Sequence, residues 1–130
     1  MKFKTLAALT AGILILLAFV WMFAADFLLG QLQVPVTESA LLVGRRMAAL
    51  FLGLAVMFFI GQAAEPSVAR TALSAGVIVA CIVLAVLGLF ELSAGRAGPF
   101  ILSAVLVEVG LAIGFLVLLR NEHKASTAQG

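Results

Sequence analysis

The stretch TALSAGVIVACIVLAVLGLF, residues 71–90, contains no charged side chain. An α-helix needs about 20 apolar residues to cross the hydrocarbon core of a bilayer. Apolar stretches of similar length occupy residues 6–29, 40–61 and 99–119. The links between these stretches are short, so consecutive helices are expected to run in opposite directions. The sequence therefore predicts an all-α membrane protein, an antiparallel bundle of four transmembrane helices within residues 1–120, followed by a polar and frayed tail at residues 121–130.

The overall composition supports the membrane assignment. Hydrophobic residues make up 65% of the chain and charged residues 11%, whereas a soluble domain is nearer half apolar and a quarter charged. The net charge of +2 arises from basic residues scattered at segment ends, which disfavours a nucleic-acid partner. The sequence has no catalytic motif, phosphate loop or metal-ligand spacing. We therefore expect a non-enzymatic protein without cofactor or metal, whose partner is the lipid bilayer.

The links carry residues that start and stop helices. Thr37 and Ser39 are typical N-cap residues for the second span. Glu65 followed by Pro66 indicates a helix end and then a new start. Pro99 fits the first turn of the fourth span.

Five ionisable residues fall within the spans or at their ends, and they form the predicted intramembrane charge cluster. An ionisable group in a span costs about 2.5–3.5 kcal/mol on insertion scales and tends to face the bundle interior. The predicted topology brings the five to one half of the membrane, where Arg46 is expected to pair with Glu108 and Arg45 with Asp26. Two interpretations remain open, a structural ion-pair clamp and a protonatable or anion-binding site. The cluster consists of Glu108, Arg46, Arg45, Asp26 and Glu91.

Small residues recur at helical spacing in three of the spans. Such residues let helix backbones approach closely, so we assign them to helix packing. On the fourth span they lie nearly opposite Glu108, which predicts one face packed within the bundle and another against a neighbouring helix or protomer. The set comprises Ala49 and Gly53, Gly76 and Ala80, and Gly110 and Gly114.

A weak internal repeat relates the two halves of the chain. Residues 8–15 (ALTAGILI) match residues 72–79 (ALSAGVIV), and residues 53–56 (GLAV) match residues 110–113 (GLAI). The pattern predicts two similar helical hairpins, although apolar helices also match by chance.

The distribution of Lys and Arg predicts the orientation. Five basic residues fall at the end that holds both termini: Lys2, Lys4, Arg70, Arg120 and Lys124. Basic residues favour the cytoplasmic side. We therefore expect both termini in the cytoplasm.

Three motifs carry a resemblance to a known group. They are GRRMAA at residues 44–49 with Gly53 following, Gly98-Pro99 before the fourth span, and Glu108 within it. Over most of residues 6–119 the chain resembles a family of small bacterial four-helix membrane proteins of unknown function. It departs at Gly44, where a polar residue is expected. The resemblance implies the fold and a bacterial inner-membrane location, but no activity.

Two functions are compatible with this sequence. The first is an accessory or self-associating membrane subunit, either a homo-oligomer or a partner of another membrane protein. The alternative is a small transporter or lipophilic-ligand binder that uses the charge cluster.

Overall fold

The computed structural model describes residues 2–128, and this part of the chain contains helices and no strand. Four of the helices are long and apolar enough to cross a membrane, as predicted. The fifth is a short helix after the first span. The helices are α1 (Phe3–Phe23), α2 (Ala25–Gln31), α3 (Glu38–Gly61), α4 (Val68–Ser93) and α5 (Ile101–Ala128).

Side-chain caps fix the starts of α3 and α4. The Thr37 hydroxyl accepts a hydrogen bond from the backbone N–H of Ala40 at 3.1 Å, as the sequence predicts. The Ser67 hydroxyl accepts one from the backbone N–H of Arg70 at 3.3 Å. Each cap satisfies one of the donors that a helix leaves without a partner at its N-terminus. Pro66 directly precedes the second cap, as expected for a new start.

The first span is not one continuous helix, so the prediction of a helix over residues 6–29 is wrong. Ala24 leaves the helical conformation, with φ −135° and ψ 34°, and α2 begins at the next residue. Asp26 then lies in the first turn of α2, where the helix dipole favours a negative charge. The sequence gives no sign of this break, because neither Pro nor Gly stands at or beside position 24.

The last span also differs from the prediction at both ends. α5 begins at Ile101, after a turn in which the Ile101 N–H donates to the Gly98 carbonyl at 3.1 Å. Pro99 lies in this turn rather than in the helix. α5 continues to Ala128, so the tail described as frayed is helical, while Gln129 and Gly130 lie outside the described residues. In this last part of α5, Glu122 pairs with Arg70 of α4.

The long helices pack as two pairs, α1 with α3 and α4 with α5. In the first pair the Trp21 ring covers Gly44, so the end of α1 meets the start of α3. In the second pair Val105 covers Gly88 near the end of α4. Arg70 at the start of α4 meets Glu122 near the end of α5. Within each pair the helices therefore run in opposite directions.

Buried residues are spaced by three, four or seven residues along the helices of each pair. This spacing is typical of helices that cross at a shallow angle. On α3 it gives Gly44, Ala48, Ala55 and Phe58, and on α5 it gives Val105, Ala112, Phe115 and Leu118.

The two pairs meet chiefly between α1 and α5. Phe115 is fully buried, and its ring lies 6.3 Å from that of Phe3 and 5.8 Å from that of Phe58. At the opposite end of the molecule the Gly98 N–H donates to the Leu32 carbonyl at 2.7 Å, which joins two loops. The pairs are thus connected at both ends.

Much of the apolar surface is uncovered. The chain exposes 8343 Å², whereas a compact soluble protein of its mass exposes about 6500 Å². Large apolar side chains such as Phe23, Ile60 and Leu106 are each more than 70% exposed. In a bilayer this surface faces lipid or other helices, which agrees with the membrane assignment.

Candidate functional site

The contact between α4 and α5 contains an ionisable residue, Glu108, which is flanked by apolar residues. Glu108 lies between Val105 and Ala112 on the buried spacing of α5, and it is half-buried. Cys81 lies on the buried face of α4, the helix that packs against α5. Glu108 therefore faces the helix–helix contact and not only the surrounding lipid.

The Glu108 carboxyl has an unsatisfied oxygen. Among the described residues, Oε2 of Glu108 has no hydrogen-bond partner, and its accessible area is below 1 Å². A buried carboxylate without a partner is costly, whereas a protonated carboxyl or one that meets a cation costs less. Glu108 can thus hold a proton or bind a cationic or hydrogen-bonding group that enters from the membrane.

The predicted partners of Glu108 lie elsewhere. Arg45, Arg46 and Asp26 are all exposed. Over residues 2–128, the ion pairs within 4 Å are Arg70 with Glu122 and Arg96 with Glu91. The expected pairs of Arg46 with Glu108 and of Arg45 with Asp26 are therefore not formed in this structure.

Glu91 pairs with an arginine of the following loop. Its two carboxylate oxygens accept hydrogen bonds from Nε and Nη2 of Arg96, at 2.6 and 3.0 Å. The bond to Glu91 raises the pKa of Arg96 above its usual value. The Arg96 guanidinium also lies 5.1 Å from the centre of the Phe90 ring. The ion pair thus links the end of α4 to the following loop at the protein surface.

A second polar cluster, which sequence reasoning missed, lies at the end that holds both termini. Arg70 pairs with Glu122, donates to the Ala64 carbonyl at 3.3 Å, and lies 4.2 Å from the centre of the Phe3 ring. Its side chain is 14% exposed. The cluster ties α1, α4, α5 and the loop before α4 together. The sequence could have predicted the Arg70–Glu122 pair, because antiparallel packing places the start of α4 beside the end of α5.

Two buried hydroxyls occupy matching places in the internal repeat. Thr10 and Ser74 are both fully buried. Each donates to the carbonyl four residues earlier, Thr10 to Leu6 at 2.8 Å and Ser74 to Arg70 at 3.0 Å. Phe58 and Phe115, which follow the second pair of matched segments, are likewise both buried. These aligned positions of the two halves thus share their burial, whereas Ala11 is buried and its counterpart Ala75 is exposed.

Most of the predicted packing residues face outward from the chain. Ala49, Gly53, Gly76, Ala80 and Gly110 are exposed, and a Cβ atom added at any of these three glycines would meet nothing within 4 Å. Gly114 differs, since its added Cβ would lie 3.3 Å from the Leu6 side chain. Within the chain, an added Cβ atom would instead come closer than 3.0 Å to a neighbouring side chain at Gly44, Gly61, Gly88 and Gly98.

Comparison with known proteins gives no relative. No family model matches the chain, and neither a curated protein nor a solved structure matches it. The resemblance noted from the sequence therefore gains no support from these comparisons.

Proposed function

We propose that this chain is a non-enzymatic membrane subunit that associates with itself or with another membrane protein. The observation that carries the proposal is the outward position of Gly53 on α3 and Gly76 on α4, each with open space where a side chain would stand. Glycines at a lipid-facing position let a second helix approach closely, and helices in a bilayer associate through such packing. The large uncovered apolar surface supports the same interpretation.

A cross-linking experiment tests this proposal. We expect the wild-type chain to form cross-linked oligomers, or to co-isolate with a partner, in native membranes and in mild detergent. Gly53→Leu and Gly76→Leu should reduce this association, because the new side chains occupy the approach space. Val83→Leu is the control and should leave association unchanged, since Val83 is exposed but already carries a branched side chain, so no approach space is lost. A strictly monomeric wild-type protein that co-isolates with nothing would contradict the proposal.

The proposal includes the arrangement of the spans in the membrane. The four spans form an antiparallel bundle in the bacterial inner membrane, with both termini in the cytoplasm. The opposite directions within each helix pair support the bundle, and the excess of basic residues at the end with the termini supports the orientation. A reporter that is active only in the periplasm should be inactive when fused after Gly130 and active when inserted near Arg96. The reverse pattern would exclude this orientation.

Glu108 favours a second candidate function, that of a small transporter or lipophilic-ligand binder. Its unsatisfied carboxylate oxygen in the contact between α4 and α5 supports this alternative. Carbodiimide reagents modify protonated carboxyls that are reached from lipid. Labelling of Glu108 that falls as the pH rises would support a titrating and accessible carboxyl, with Glu108→Gln as the control. Absence of labelling at every pH would count against this function and leave the subunit proposal in place.

A further inference from the structure

An apolar groove of about 430 Å³ runs between α1 and α5 on the outside of the chain. Leu6, Leu9 and Ile13 form its α1 wall. Gly110 and Gly114 lie on the α5 side, and Asn121 lies at its polar end. The groove exists because the two glycines leave space that larger residues would fill. Neither Gly53 nor Gly76, on which the proposed association depends, lines the groove.

The groove is somewhat longer than one bilayer leaflet is thick. Its α5 wall extends from Val107 to Asn121. At 1.5 Å per residue this is about 21 Å. One leaflet of a hydrocarbon core that is about 30 Å thick measures about 15 Å. An acyl chain that lies along the groove therefore reaches from the middle of the membrane to its surface, where Asn121 stands.

Both walls of the groove lead to a lysine at the membrane surface. On α5 the helical spacing of Gly110, Gly114, Val117 and Asn121 continues to Lys124. On α1 the position one turn before Leu6 is Lys2. Both lysines are exposed. The nearby carboxylate of Glu122 is already paired with Arg70, so it does not neutralise them.

We propose that the α1–α5 groove binds one acyl chain of an anionic phospholipid, whose phosphate meets Lys2 and Lys124. The apolar walls accept the chain, and the Asn121 amide donates to the headgroup. Basic residues beside a groove between transmembrane helices select anionic over zwitterionic lipids through charge. This lipid site is independent of the proposed self-association.

Native mass spectrometry of the intact protein tests the lipid site. The purified chain is presented with equal amounts of phosphatidylglycerol and phosphatidylcholine that carry the same acyl chains. We expect preferential retention of phosphatidylglycerol. Gly110→Leu should abolish retention of either lipid, because the leucine fills the groove. Gly53→Leu, a matched glycine outside the groove, should leave retention unchanged while it weakens association.

Charge variants test the headgroup contact without changing the groove. Lys2→Gln and Lys124→Gln are each expected to lower the preference for phosphatidylglycerol by about fivefold. Lys4→Gln is the matched control, because Lys4 is exposed but does not follow the helical spacing of the α1 wall. Equal retention of the two lipids by the wild type would overturn the proposal, as would an equal loss with Lys4→Gln. It would also be overturned if Gly110→Leu changed the oligomeric state but not lipid retention, since a second copy would then occupy the groove.

Discussion

At the scale of single residues, close packing depends on a few small side chains that face a large partner. Gly44 is the clearest case. A Cβ atom at this position would lie 2.6 and 2.8 Å from Cε3 and Cζ3 of Trp21. Such distances are too short for a real contact, and a packed indole ring cannot move aside without disturbing its neighbours. Gly44 is therefore required by the contact between α1 and α3.

Gly44→Ala is expected to destabilise the protein by about 1–3 kcal/mol, the usual cost of overpacking a well-filled contact. The thermal midpoint of the purified protein should fall, and the emission of Trp21, which is the single tryptophan, should change. Gly12→Ala provides the control, since its new methyl group meets nothing within 4 Å. Equal midpoints for the two variants would show that the indole ring adapts at little cost.

The sequence alone predicts such positions poorly. Small-residue spacing is shared by glycines that contact a neighbouring helix and by glycines that face lipid. Gly110 and Gly114 belong to one motif, yet only Gly114 meets another side chain of the chain, that of Leu6. The difference depends on how each helix is rotated toward its partner, which spacing within one helix does not determine.

At the scale of the helices, apolar length predicts the spans well because the bilayer sets a minimum length for any crossing helix. It predicts the ends less well, because these depend on contacts made elsewhere in the chain. The start of α3 follows from a local cap at Thr37 and was predicted. The continuation of α5 to Ala128, a part of the helix where Glu122 pairs with Arg70 of α4, was not predicted.

Removal of the Glu122 carboxylate should therefore loosen the last two turns of α5. In Glu122→Ala we expect faster amide hydrogen exchange over residues 121–128, because the link to Arg70 is lost. Exchange in the apolar part of α5 should be unchanged. Glu65→Ala serves as control, since Glu65 is exposed and lies in the loop at the same end. If both variants exchange as the wild type does, the helix at this end is stable without the ion pair.

At the scale of the whole molecule, the two helix pairs are held together by few contacts, among which the Phe115 ring is central. It is fully buried, and from α5 it contacts the Phe3 ring of α1 and the Phe58 ring of α3.

The candidate site could be predicted from the sequence only in part. Glu108 was predicted because an ionisable residue in a span is rare, but the prediction of Arg46 as its partner was wrong, because pairing depends on how the helices are rotated.

Phe115→Ala is expected to lower the free energy of unfolding by about 3 kcal/mol, because it leaves a cavity between the two pairs. The loss should appear in denaturant titrations of the protein in mild detergent. Phe59→Ala is the matched control, since the Phe59 ring is 62% exposed and contacts lipid in the membrane. A comparable loss for Phe59→Ala would indicate that aromatic bulk, rather than the contact between pairs, determines stability.

The pairing of α1 with α3 and of α4 with α5 also bears on biosynthesis. A chain is synthesised from its N-terminus, and units that are complete can fold before later residues have emerged. Each pair here consists of spans that are consecutive in the chain. The first pair can therefore close in the membrane before α4 has left the ribosome. The Gly98–Leu32 hydrogen bond, by contrast, must wait for the loop after α4, and the α1–α5 contact must wait until α5 has been synthesised.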